Sequence, residues 1–181
     1  MPPSRKAKTT LDKGDYLFFW KTTHVNGWAS QWYPASFEAT LEMDEGVMET
    51  IRFPTAEHWM MTQKALLFSD KAVARKVIEA DGSNMRHVKS LGRQVENFNE
   101  ERWAKERERI VLEGNMLKFG QNADLREKLM QTGEKIIVEA SPMDKIWGIG
   151  MGESKALSTN QSKWGLNLLG KALMETREKL K

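Results

Sequence analysis

Residues 53–68 read FPTAEHWMMTQKALLF, and the way this stretch folds decides the architecture around it. Pro54 ends the strand that precedes it, because it cannot donate to a ladder. Thr55 is a good N-cap, so the spacing predicts a helix from there through about Phe68, with Glu57 and His58 in its first turn. Working upstream, residues 37–41 and 47–53 predict a pair of strands around the turn Asp44-Glu45-Gly46, and YLFFW, residues 16–20, predicts another short strand. Downstream, Asp70 caps a helix through Ala80 that Asp81-Gly82 closes. A short helix at about 84–91 leads to Gly92-Arg93, and Asn99 opens the longest helix, which reaches about Gly120. Trp103, Ile110, Met116 and Leu117, with Phe119 beyond, give that helix a partial apolar stripe among many charges. A helix over 123–131, a strand over 135–140 (KIIVEA), a turn-rich segment, and an amphipathic helix from about Trp164 to Leu180 complete the chain. The expected fold is α+β, a mostly helical single domain with a small β-sheet over residues 15–181, after a flexible basic tail at 1–14.

Composition narrows the classes of function. A chain of 181 residues, 40% hydrophobic and 29% charged, suits one domain with one core. It has no apolar run long enough to span a bilayer, so no membrane partner is expected. The first 15 residues, MPPSRKAKTTLDKGD, carry basic groups but no apolar segment, which does not fit a secretory signal. With no cysteine, disulfides, thiolate nucleophiles and cysteine metal sites are excluded. Nothing calls for an oxidising compartment, so an intracellular protein of cytoplasm or nucleus is expected. A net charge of +3 admits an anionic substrate, but a dedicated nucleic-acid binder shows a denser basic stripe. His24, His58 and His87 lack metal-ligand spacing, and WGIGMG lacks dinucleotide spacing, so no metal and no cofactor are expected.

Three features can carry chemistry. On a helix, Glu57, Met61 and Lys64 share a stripe. The carboxylate and the amine then stand roughly 10 Å apart along the axis. Both can reach one small ligand and supply an acid–base pair or a Schiff-base lysine. Two solvated charges on an exposed face are the alternative. In SPMDKIWGIG, residues 141–150, Asp144 follows a strand in a loop rich in Gly and Pro, where it either serves an active site or shapes the turn. The seven tryptophans either fill the core or wall a pocket for a flat ring.

Together these segments resemble the NADAR family and its YbiA-like members, from about Phe19 to Leu180. FWKTTHVNGWASQW resembles the family's first block, and FPTAEHWMMTQKALLF its P-T-x-E-H-aromatic run ending in Q-K. Gly92-Arg93 and Trp103 match a looser middle block. MLKFGQNADLREKLMQTGEKIIVEASPMDKIWGIG matches K-F-x-Q, L-x-x-L-L-x-T-G, V-E and D-x-x-W-G, and GLNLLGKALMETREKL the closing N-x-L-G-x-x-L-M-x-x-R. The resemblance implies hydrolysis of an N-glycosidic bond between a ribosyl group and a nucleobase. Two substrate classes are implied: ADP-ribose attached to guanine, with transient nucleic-acid contact, and ribosylamino-pyrimidine phosphates of the riboflavin pathway. Glu57, Lys64 and Asp144 are the implied catalytic residues. Phe19, Trp20, Ser30, Trp32, Arg93, Trp103, Trp147, Gly148 and Asn167 are the implied substrate-binding set. ASQW stands where YbiA-like members carry F-S-N-F, and the polar segment between Gly152 and Gly165 is longer than in compact bacterial members. Trp32 and that segment are expected to reshape the pocket in favour of ADP-ribosylated guanine. A non-catalytic ADP-ribose-binding module is the alternative of another class, and it needs no Glu57 and Lys64 pair.

Overall fold

The computed structural model describes residues 12–181. The expected basic tail lies outside the described residues up to Leu11; Asp12 caps a 3-10 turn at Lys13–Asp15, its carboxylate accepting from the Gly14 N–H. The strands are β1 (Tyr16–Phe19), β2 (Phe37–Asp44), β3 (Val47–Phe53) and β4 (Ile136–Glu139). They form two separate two-stranded sheets rather than one small sheet. β2 and β3 are an antiparallel hairpin. β1 and β4 pair in parallel, with Phe19 opposite Glu139. Parallel neighbours need a long crossover, and this one contains the hairpin and the helices α1 (Ala56–Leu67), α2 (Lys71–Glu79), α3 (Met85–Gly92), α4 (Glu100–Gln121) and α5 (Ala123–Gln131). Thr55, Asp70 and Asn99 cap α1, α2 and α4, each side chain accepting a backbone N–H from the first turn.

α1 is the central helix. Every residue from Ala56 to Thr62 is buried, because β3, α2, α3 and α4 all close on it. Two glycines make that approach possible. A Cβ at Gly114 of α4 would lie 2.4 Å from Cδ1 of Trp59, and one at Gly92 of α3 would lie 1.9 Å from Sδ of Met61. The Trp59 indole N–H donates to the Ile110 carbonyl at 2.8 Å, so the core's largest buried side chain is also satisfied.

Three elements differ from the sequence expectation. In α4, Met116 and Leu117 are half-buried while Asn115 and Lys118 are fully buried. The Lys118 ammonium donates to the carbonyls of Trp28 and Ser30 at 2.8 and 2.9 Å, which turns that polar face inward. The last helix, α7, runs Leu168–Lys179 and starts later than Trp164. The N–H groups of Gly165, Asn167 and Leu169 are instead taken by the carbonyls of Ile149, Gly148 and Trp147. The turn-rich segment contains a short helix, α6 (Glu153–Leu157), and a 3-10 turn at Gln161–Lys163. No helix among the described residues is long and apolar enough to cross a membrane.

Candidate active site

One cleft of about 800 Å³ gathers most of the sequence-selected residues. α1 contributes Glu57, Met60, Met61 and Lys64; α3 and the residue after it contribute Arg86, Lys89 and Arg93. Trp20, Ser30, Gln31 and Trp32 come from the loops flanking the 3-10 turn Gly27–Ala29, Trp103 from α4, Glu139 from the end of β4, and Asp144 and Trp147 from the following loop. The tryptophans divide between the two roles. Trp20, Trp32, Trp103 and Trp147 line the cleft, whereas Trp59 lies in the core and Trp164 packs edge-on to Tyr16 and Phe18. Such amphipathic planes bind a flat ring and can still offer an N–H.

Glu57 is not a solvated surface charge. It is 3% exposed, and its Oε1 is buried without a hydrogen-bond partner. Its backbone N–H is bound by the Gln31 carbonyl at 3.1 Å, which ties α1 to the Ser30–Trp32 loop. Burial pushes its carboxyl up to about 7, against the pull of Lys89 and of a hydrogen bond from Trp32. A carboxyl poised there exchanges protons readily at neutral pH.

Lys64 lies two turns along the same face and is half-buried. Its Nζ donates to the Gly92 carbonyl at 2.7 Å, at the C-terminus of α3, and stands 4.3 Å from the Phe98 ring centre and 5.8 Å from that of Trp103. Burial holds its amine below the usual lysine range, although Glu100 and Glu57 pull it upward. An amine that loses its proton more easily than a solvated lysine is the property a nucleophile needs.

Asp144 shapes its turn and also borders the cleft: its Oδ1 accepts the N–H groups of Ile146 and Trp147, each at 2.8 Å. Its charge raises the carboxyls of both Glu57 and Glu139. Phe19, Gly148 and Asn167 are not among the residues lining the cleft. Phe19 is buried in the core, and Asn167 bridges β4 and the start of α7. Residues 154–163 do not line it either, so the longer segment does not reshape the pocket directly; Ala156 and Leu157 pack with Tyr16, Phe18 and Val138.

Glu139, Arg86 and Lys89 are among the cleft residues that the sequence alone did not single out. Glu139 sits in the apolar run KIIVEA, where its side-chain direction depends on the strand's neighbours. Arg86 and Lys89 lie three apart on α3, and with Arg93 at i+7 they form one helical stripe. That spacing was visible in the sequence, but nothing local tied the stripe to Glu57. The three cations have no carboxylate within salt-bridge distance among the described residues. The cleft therefore has an acidic floor and a basic wall, a polarity that suits a ligand with an anionic tail.

An aromatic cleft holding a poised carboxyl and a partly desolvated amine has the character of a small-molecule enzyme site rather than a flat interaction surface. The chain belongs to the NADAR domain family, whose model matches residues 18–181. It is 48% identical over 150 residues to an N-glycosidase of Acanthamoeba polyphaga mimivirus, covering 82% of this chain and 85% of that protein. It is 31% identical over 128 residues to N-glycosidase YbiA of Escherichia coli (strain K12), covering 71% of each. The fold is that of the NMR structure of E. coli YbiA, with a TM-score of 0.67 at 24% identity over 99% of this chain and 93% of the other.

Proposed function

We propose that this chain is an N-glycosidase that hydrolyses the bond between ribosyl C1′ and a nucleobase-like leaving group. The observation that carries the reading is Glu57: a buried carboxyl with one oxygen left without a partner, facing an aromatic cleft that also holds Lys64. A buried carboxyl oxygen without a partner costs stability, and a site that only bound its ligand would have no use for it. The names of the relatives point the same way.

In the favoured route the C1′–O4′ bond breaks, O4′ taking a proton from Glu57 to open the ribose ring, and neutral Lys64 attacks C1′. The C1′–N bond breaks, its electron pair leaves with the base, and an imine links C1′ to Lys64. Water then releases the sugar and restores the amine, with Glu57 taking and returning the protons. In the alternative, Glu57 activates water for direct attack at C1′. Borohydride added during turnover traps the sugar on Lys64 in the first route and nothing in the second.

For the substrate, the reading favours ADP-ribose attached to guanine over ribosylamino-pyrimidine phosphates. Small-molecule sites span about 300–1,000 Å³, and a cleft of about 800 Å³ suits the larger ligand. Arg86, Lys89 and Arg93 suit a diphosphate, and Trp32 supports the choice as a wall for the base. The test is paired measurement of kcat/KM on guanine-linked ADP-ribose and on a ribosylamino-pyrimidine phosphate. The first is expected to be preferred. Preference for the second would change the substrate and keep the chemistry, and tight ADP-ribose binding with no turnover of either would make the protein a reader.

A further inference from the structure

We propose that Glu139 is a second catalytic carboxyl, the acid that protonates the departing base, and that Phe19, Gly148 and Asn167 are the residues that position it. This rests on the glycosidase reading above.

Glu139 is the last residue of β4 and lines the cleft that holds Glu57 and Lys64. Its Oε2 is buried with no hydrogen-bond partner, and it forms no ion pair among the described residues. Glu139 is half-buried as a residue, but leaving one carboxyl oxygen shut away without a partner costs stability that a purely structural strand-end glutamate would avoid. Uncompensated titratable groups in a cleft are instead characteristic of functional sites.

The backbone around Glu139 is fixed from three directions. Its N–H donates to Oδ1 of Asn167 at 3.0 Å, and its carbonyl accepts from Ile149 at 3.0 Å. On the β1 side it is the register partner of Phe19, whose carbonyl accepts the Ala140 N–H at 2.8 Å. Asn167 is itself held: it has φ 52°, and its Nδ2 donates to the Ile137 carbonyl at 2.9 Å. A Cβ at Gly170 would come within 2.4 Å of the Asn167 side chain, and one at Gly148 within 2.7 Å of the Glu139 carbonyl oxygen. The three motif residues outside the cleft thus converge on one residue whose side chain lies within it.

The charges around Glu139 fit the role of acid. Burial is the largest influence and holds its carboxyl near 8; Asp144 from the loop and Glu57 from α1 raise it, and Lys89 from α3 lowers it. β1 and the start of α7 bring Phe19 and Asn167, neither of them charged. At neutral pH Glu139 keeps its proton while Glu57, near 7, is partly ionised, a division of labour between acid and base. As the C1′–N bond breaks, the electron pair moves onto the base nitrogen and the Glu139 proton follows it. Water consumed in releasing the sugar supplies the hydroxyl to C1′ and the proton that restores Glu139.

The test is a series of substrates with one ribosyl group and leaving bases of graded basicity, turned over by the wild type, Glu139→Gln, Glu57→Gln and Asn167→Ala. Glu139→Gln is expected to lower kcat/KM by about 10²–10⁴-fold for bases that need protonation, to approach wild type for bases that depart unaided, and to lose the alkaline limb of the pH profile. Glu57→Gln is expected to lose activity across the whole series. Asn167→Ala is expected to shift leaving-group dependence in the direction of Glu139→Gln, whereas a scaffold role alone would lower Tm and leave that dependence unchanged. Near-wild-type rates for Glu139→Gln, or a loss independent of the leaving base, would overturn the assignment. A wild type inactive on every substrate would instead remove the glycosidase reading, and this assignment with it.

Discussion

Lys64 and Lys118 are both drawn inward, and both donate to backbone carbonyls, yet they occupy regions with different work to do. Lys118 is fully buried on α4, between the carbonyls of Trp28 and Ser30, and burial pushes its amine down to about 7. It does not line the cleft. It holds the loop whose next residues, Gln31 and Trp32, contact the backbone and the carboxyl of Glu57. Lys64 is only half-buried, has one carbonyl partner, and opens onto the cleft between Phe98 and Trp103. Burial depresses both amines, but a depressed amine attacks a substrate only where a substrate can arrive. Access, not desolvation alone, separates the proposed nucleophile from the strut.

The largest effect that can break this comparison is expected at Lys64. Lys64→Arg keeps the charge and removes the nucleophile. Turnover should fall to background and the borohydride-trapped adduct should vanish, with Tm little changed. An active Lys64→Arg enzyme, with no adduct in the wild type, would leave direct water attack as the route. Glu57→Gln comes next, with an expected loss of about 10²–10⁴-fold in kcat.

Glu57→Gln also has a stability signature. Burial raises the Glu57 carboxyl to about 7, so the folded state holds a proton between pH 4.5 and 7 that the unfolded chain has released. The stabilisation linked to that proton is full below about pH 4.5 and is lost as pH rises through 7. The Tm of the variant should therefore gain on wild type between pH 5 and 8. A constant difference across that range would place the carboxyl in water.

Lys118→Met sharpens the other side of the comparison. It leaves the Trp28 and Ser30 carbonyls without their donor, a cost of about 1–3 kcal/mol for each group. Tm should drop clearly and kcat should fall less than for Lys64→Arg, through displacement of Trp32. If Lys118→Met kept full stability and lost all activity, the strut assignment would be wrong. Asp144→Asn is expected to have the smallest effect. Asn retains an oxygen for the Ile146 and Trp147 N–H groups, so the turn should survive while the charge is lost. A fall in rate on the order of tenfold, equivalent to about 1.4 kcal/mol, would assign a role to the charge; a fall in Tm alone would leave Asp144 as a turn residue.

The sequence by itself determined what short-range physics controls. Thr55, Asp70 and Asn99 announced their helices because a cap acts within one turn. The β2–β3 hairpin followed from Gly46, which has φ 71°, between two strand-forming runs. Glu57 and Lys64 were legible as one helical stripe, since i and i+7 share a face in any helix. Tertiary structure alone decided what that stripe faces. Helix geometry does not say whether Glu57 meets water or protein; its buried surroundings include Gln31 and Trp32 from an upstream loop, with the charges of Lys89 on α3 and Asp144 nearby. Glu139 and Lys118 were hidden for the same reason. One stands at the end of an apolar strand and the other on a helix with many charges, and their surroundings come from segments far away in the chain. A catalytic cleft is a convergence of long-range neighbours, and local periodicity carries no information about which distant residues will converge.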